Sequence, residues 1–163
     1  MRRLALPLAA TAMLAACSTA PPPPPLDLSP PSGDPFVWTY GETGRDLAWL
    51  RYGQPASDNV GLALSCPHSA TTVRFETGTA GRKAELRLRS AAGERAYPAE
   101  LKRSRLDGGV LATGAIALTD PILAAFEASG RIAQVEDRPY PQNAETPAER
   151  VDIRRFFAFC RGR

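Results

Sequence analysis

Ala84-Glu85-Leu86-Arg87-Leu88-Arg89 is the stretch on which the fold class turns. Apolar and charged side chains alternate strictly, so every second residue faces the same way on an extended backbone. On a helix, Leu86 and Leu88 would fall on roughly opposite sides and bury no common face. The segment is therefore a strand with one face toward a core. Upstream, Val73 and Phe75 alternate with Arg74 and Glu76 across Thr72 to Thr77. Val60 to Cys66 is an apolar run closed by Pro67, and Asp46 to Tyr52 and Phe36 to Tyr40 are rich in aromatic and apolar residues. Each predicts a strand. Downstream, Tyr97 to Leu101 predicts a strand with Pro98 near its start, and Val110 to Leu118 another. Turns are expected at Gly41 to Gly44, at Ser90 to Gly93 and, as a hairpin, at Gly78 to Lys83. Gly78 to Lys83 lacks the glycine spacing and the hydroxyl after lysine that a phosphate loop requires.

After Leu118 the pattern changes. Asp120 and Pro121 place a cap and a first-turn proline before Ile122-Leu123-Ala124-Ala125-Phe126, and Gly130 ends the run, which predicts a short helix. Arg131 to Glu136 returns to strand, and Arg138 to Glu145 reads as a proline-containing loop. Thr146-Pro147-Ala148-Glu149 has the capping-box arrangement. Behind it Ile153, Phe156, Phe157 and Cys160 recur at i, i+3, i+4 and i+7, one apolar stripe of a carboxy-terminal helix. The expected fold is β-rich α+β. It is one antiparallel sheet, or a small sandwich or barrel, of six to eight strands carrying a short helix and a carboxy-terminal helix. Residues 36–163 form a single globular domain in this reading.

The amino end carries different information. Arg2 and Arg3 precede the apolar stretch Leu4 to Ala16, which ends in Leu14-Ala15-Ala16-Cys17. Thirteen residues are too few to span a bilayer, which takes roughly 20. A positive start, a short apolar middle and a small-residue end follow the plan of a secretory signal. The Leu-Ala-Ala-Cys ending resembles the lipobox of bacterial lipoproteins. That resemblance implies a signal peptide over residues 1–16, a diacylglyceryl group on the Cys17 thiol and usually a further acyl chain, such as palmitate, on its amine. Two or more chains give stable anchoring. Ser18, rather than aspartate, resembles the class sorted to the outer membrane, which implies a lipid-anchored protein on its periplasmic face.

Residues 17–35 read as the lipidated cysteine and a tether, since Thr19 to Pro35 contains eight prolines. Such a run favours extended polyproline II, at roughly 3.1 Å per residue. Removing the sixteen residues before Cys17 from the 163 takes Arg2 and Arg3 with them. Eighteen basic side chains then face seventeen acidic ones, a net charge near +1 that gives no argument for nucleic acid.

With Cys17 acylated, Cys66 and Cys160 remain, in a compartment that the lipoprotein resemblance makes oxidising. A Cys66–Cys160 disulfide is expected, with two buried free thiols or pairing to another chain as the alternatives. Such a bridge leaves no thiolate beside His68, the single histidine, so no Cys–His catalytic pair, metal site or cofactor is expected, and the chain is read as a non-enzyme. Lys83 to Arg105 is rich in Lys and Arg, read mainly as the solvated side of an amphipathic strand.

The order Cys66, Val73-Arg74-Phe75, Ala84-Glu85-Leu86, Ser90-Ala91-Ala92-Gly93 and Tyr97 is loosely similar to the membrane-bound lysozyme inhibitors of the C type. That similarity implies a barrel and an inhibitory loop containing Ser90, Gly93 and Tyr97, although here two alanines separate the serine from the glycine. An equally loose similarity is to exported invasion-associated locus B domains, which are β-rich with an internal and a near-terminal cysteine. The expected function is a membrane-tethered envelope lipoprotein, a binding or structural module whose partner is an envelope protein or a glycan. The alternative is a periplasmic inhibitor of a lysozyme-like cell-wall hydrolase.

Overall fold

The computed structural model describes residues 36–79, 83–104 and 108–163. The lipobox cysteine Cys17, the signal segment and the proline-rich tether lie outside the described residues. Within them the domain is β-rich α+β, with two antiparallel sheets and two helices. The first sheet has six strands: β1 (Val37–Thr43), β2 (Leu47–Gly53), β3 (Val60–Pro67), β4 (Thr72–Thr79), β7 (Glu100–Arg103) and β8 (Val110–Ala117). Their spatial order is β1-β2-β3-β4-β8-β7. The second sheet has four: β5 (Glu85–Ser90), β6 (Gly93–Pro98), β9 (Ala133–Val135) and β10 (Pro139–Pro141), in the order β10-β9-β5-β6.

The alternation in Ala84 to Arg89 is realised as expected: Leu86 and Leu88 are buried, with Glu85, Arg87 and Arg89 half-buried between them. Four expectations need correcting. Gly78 to Lys83 joins no hairpin, because β4 pairs with β3 and β8 whereas β5 pairs with β6 and β9. The connection carries the chain from one sheet to the other; its residues 80–82 lie outside the described set. Tyr97 to Leu101 is not one strand. The ladder of β5 and β6 runs to Pro98, Ala99 N–H still donates to Ala84 O at 2.9 Å, and the chain then enters β7 beside β8. Gly114 permits this crossing, since a Cβ there would lie 2.5 Å from Pro98 O. Gly41 is not a turn residue: β1 continues to Thr43 because Gly41, lacking a Cβ, accepts the Trp49 ring against its backbone. Part of the expected loop at 138–145 forms β10, which raises the strand count to ten among the described residues.

The helices follow their caps. Helix α1 (Pro121–Ser129) begins where Asp120 accepts the Ile122 N–H and ends on Gly130, whose φ of 71° suits a residue without a side chain. Helix α2 (Pro147–Cys160) has the full capping box of Thr146 and Glu149. Its stripe of Ile153, Phe156, Phe157 and Cys160 is buried and packs on β1 and β2. The core runs from Leu50, Leu64 and Phe75 of the first sheet to Leu86 and Leu88 of the second, closed by Phe126 and Phe157 of the helices. Cys66 and Cys160 form the expected disulfide, tying β3 to the end of α2 across 94 residues.

Candidate binding cleft

Residues of the carboxy-terminal half of β4 meet residues of the second sheet around open space. Two hollows result, each of about 360 Å³, and Gln134, Glu136 and Asp137 line both. Each is at the lower end of the range for small-ligand sites, roughly 300–1,000 Å³. The first hollow has Leu86, Ala112 and Val135 as its apolar part, with Thr77, Thr79, Lys83, Glu85 and Arg87 among its polar wall. The second is lined by Phe36, Gly61, Gly78, Arg138, Tyr140 and Gln142.

The wall residues are fixed by the fold. Gln134 belongs to β9, pairing with Tyr140 on one side and Leu88 on the other. Its Oε1 lies 2.9 Å from Thr77 Oγ1, which also lies 2.6 Å from Gly61 O. With one proton to give, the Thr77 hydroxyl satisfies one of these acceptors at a time. Thr79 Oγ1 donates to Glu136 Oε1 at 2.8 Å, a second link across the sheets. Gln142 is held at both backbone groups: its N–H donates to Ile132 O at 2.8 Å, and its carbonyl accepts Trp38 Nε1–H at 3.0 Å. The residue is 1 % exposed, and its side-chain Oε1 has no hydrogen-bond partner among the described residues. The cleft carries both signs of charge. Arg87 is already paired with Glu94, at 2.6 Å.

The residues singled out in the sequence lie elsewhere. Ser90 is fully buried at the hairpin of β5 and β6, where its Oγ accepts the Ala92 N–H, and Gly93 takes a φ of 106° there. Tyr97 is 7 % exposed, and its hydroxyl donates to Asp120 Oδ1 at 3.0 Å. Burial, then that hydrogen bond, raises the Tyr97 phenol well above its ordinary value. The side chains exposed at the turn of this hairpin are Ala91 and Ala92. Cys66 and Cys160 are buried and oxidised, so neither offers a thiolate. His68 is exposed beside Ser69 and the Phe159 ring and does not line the cleft. Of the basic run, Lys83 and Arg87 line the first hollow, while Arg89 joins Arg87 on Glu94. No three metal-ligating side chains gather among the described residues, and no helix there is long and apolar enough to cross a membrane.

Sequence reasoning passed over Gln134, Glu136, Tyr140 and Gln142. The available signal was Pro139-Tyr140-Pro141-Gln142-Asn143, an aromatic ring between prolines followed by two amides, in what reads as a plain loop. Comparison with family models, curated proteins and solved structures found no match for this chain.

Proposed function

We propose that this chain is a lipid-tethered module of the bacterial envelope that works by binding, without catalysis, and that the cleft between its sheets is the recognition surface. The observation that carries this reading is the cleft's construction. Its polar groups come from paired strands and doubly held backbone, which gives a rigid site needing little ordering when a ligand enters. Tethering rests on the resemblance of Leu14-Ala15-Ala16-Cys17 to a lipobox. Acyl chains at Cys17 would hold the protein on the periplasmic face of the outer membrane, with the proline-rich segment as spacer. Its partner is then an envelope component, not nucleic acid.

The two halves of the proposal separate in one experiment. Full-length protein and the variants Cys17→Ser and Tyr140→Ala are expressed in a didermal bacterium, labelled with palmitate and fractionated. Retention of each on isolated cell-wall material is then measured. Cys17→Ser is expected to lose the label and leave the membrane fraction while keeping cell-wall retention. Tyr140→Ala is expected to stay membrane-bound and lose retention. Membrane association without any acyl adduct would overturn the tether, and equal retention of Tyr140→Ala and the parent would overturn the cleft.

A further inference from the structure

We infer that the ligand of this cleft is an uncharged oligosaccharide, with one pyranose ring seated in the second hollow against Tyr140 and Gln142. This deepens the binding reading and rests on it. The side-chain amide oxygen of Gln142, Oε1, carries the inference furthest. It is buried and without a partner among the described residues, yet its backbone is fixed at both ends. Buried acceptors are ordinarily satisfied, so an unpaired one on a residue that lines a hollow points to a donor arriving with a ligand. A sugar hydroxyl or an acetamido N–H is such a donor.

The surrounding chemistry suits the same ligand. Tyr140 keeps 43 % of its surface exposed, and Phe36 lines the same hollow, so flat apolar area stands beside the polar groups. A pyranose has that dual character, with C–H groups on its ring face and hydroxyls on its rim. Hydroxyls both donate and accept, matching a wall that mixes carboxylates and amide oxygens with the Arg138 guanidinium. Gly61 and Gly78 add no side chain to the hollow, and a Cβ at Gly78 would meet nothing within 4 Å, so a ring has room to approach. Glu136 and Asp137 line both hollows and disfavour an anionic ligand there. The first hollow offers space for a neighbouring ring.

An extended peptide is the competing occupant, and β10 argues against it. Gln142 N–H and Arg138 O bond toward β9, so Pro139 and Pro141 take the outward positions of this edge strand. Proline has no N–H, and the edge lacks the donors that an added strand would use.

The test is calorimetric titration of the full chain with a tetramer of β-1,4-linked N-acetylglucosamine, with cellotetraose and with an unstructured uncharged peptide. The expected result is saccharide binding in the roughly millimolar range or tighter, weakened about tenfold or more by Gln142→Leu. Tyr140→Ala, at an exposed position, is expected to weaken it similarly while leaving the melting temperature unchanged. Equal binding of cellotetraose would place recognition in the ring hydroxyls; preference for the acetylated tetramer would place it in the acetamido group. The inference is overturned if neither sugar binds, if both variants bind like the parent (Gln142 then holds water alone), or if the peptide binds in the cleft instead. Cell-wall retention that depends on Tyr140 without saccharide binding would sink this ligand class and leave the binding reading standing.

Discussion

Replacing Glu149 with alanine should be among the most damaging single changes outside the apolar core. Glu149 is 5 % exposed, and its carboxylate accepts four hydrogen bonds. Oε1 takes the Trp38 N–H at 2.9 Å; Oε2 takes the N–H groups of Glu145 at 3.0 Å and Thr146 at 2.8 Å, and the Thr146 hydroxyl at 2.8 Å. One side chain therefore caps α2 and also satisfies the free side of the edge strand β1. In Glu149→Ala the Trp38 N–H is stranded in a buried setting, which costs about 1–3 kcal/mol. Losing the reciprocal half of the capping box adds about 1 kcal/mol. Glu145 and Thr146 are exposed, so their amides recover water and add little. The total is about 2–4 kcal/mol. Urea unfolding of the oxidised chain, followed by tryptophan fluorescence, should then show a midpoint lower by about 1–2 M at an unchanged slope. Glu149→Gln keeps one acceptor oxygen and should lose less. Glu100→Ala, at an exposed carboxylate in one surface ion pair, should stay within about 0.5 kcal/mol of the parent. A Glu149→Ala midpoint indistinguishable from that of Glu100→Ala would refute the reasoning.

Other outcomes follow from the same structure. Gly114→Ala sets a Cβ 2.5 Å from Pro98 O and 2.6 Å from the Phe75 ring, so it should cost about 1–3 kcal/mol by overpacking; Gly78→Ala, with open space around it, should be nearly neutral in the same denaturation assay. Removing the disulfide through Cys66→Ala with Cys160→Ala should cost about 2–5 kcal/mol, and the oxidised parent should migrate faster than the reduced one on a denaturing gel. Burial and the hydrogen bond to Glu42 push the Tyr40 phenol up to about 12, and Tyr97 is raised by burial and Asp120. An unfolded tyrosine ionises near about 10, so the stabilisation from both raised groups is intact below that pH and is lost as pH climbs through the folded values. Ultraviolet titration should show a late-ionising phenol that is lost in Tyr40→Phe and another that is lost in Tyr97→Phe.

The fold was legible wherever one residue's neighbours in sequence are also its neighbours in space. The alternation around Leu86 and Leu88, the stripe from Ile153 to Cys160 and the caps at Asp120 and Thr146 are local signals, and each element formed where its signal stood. What stayed hidden depends on distant partners. Gly41 reads as a turn until Trp49 is seen lying across it. Tyr97 to Leu101 reads as one strand until Gly114 is seen opening the way between sheets. The pairing of Cys66 with Cys160 was legible because few cysteines compete. The cleft was not, because Thr77, Gln134 and Gln142 are unremarkable polar residues in sequence, and only the meeting of β4, β9 and β10 brings them together. Ser90 and Tyr97, by contrast, drew attention through a loose similarity, and the fold turns both side chains inward.

The measurement that bears most directly on the cleft as a recognition surface is nuclear magnetic resonance of the isotopically labelled full chain during titration with the N-acetylglucosamine tetramer. The side-chain amide signals of Gln134 and Gln142 and the ring signals of Tyr140 are predicted to shift together, while Trp49 and His68, outside the cleft lining, stay still. Shifts centred on Trp49, His68 or the hairpin at Ala91 and Ala92, with the two glutamine amides unmoved, would contradict the account.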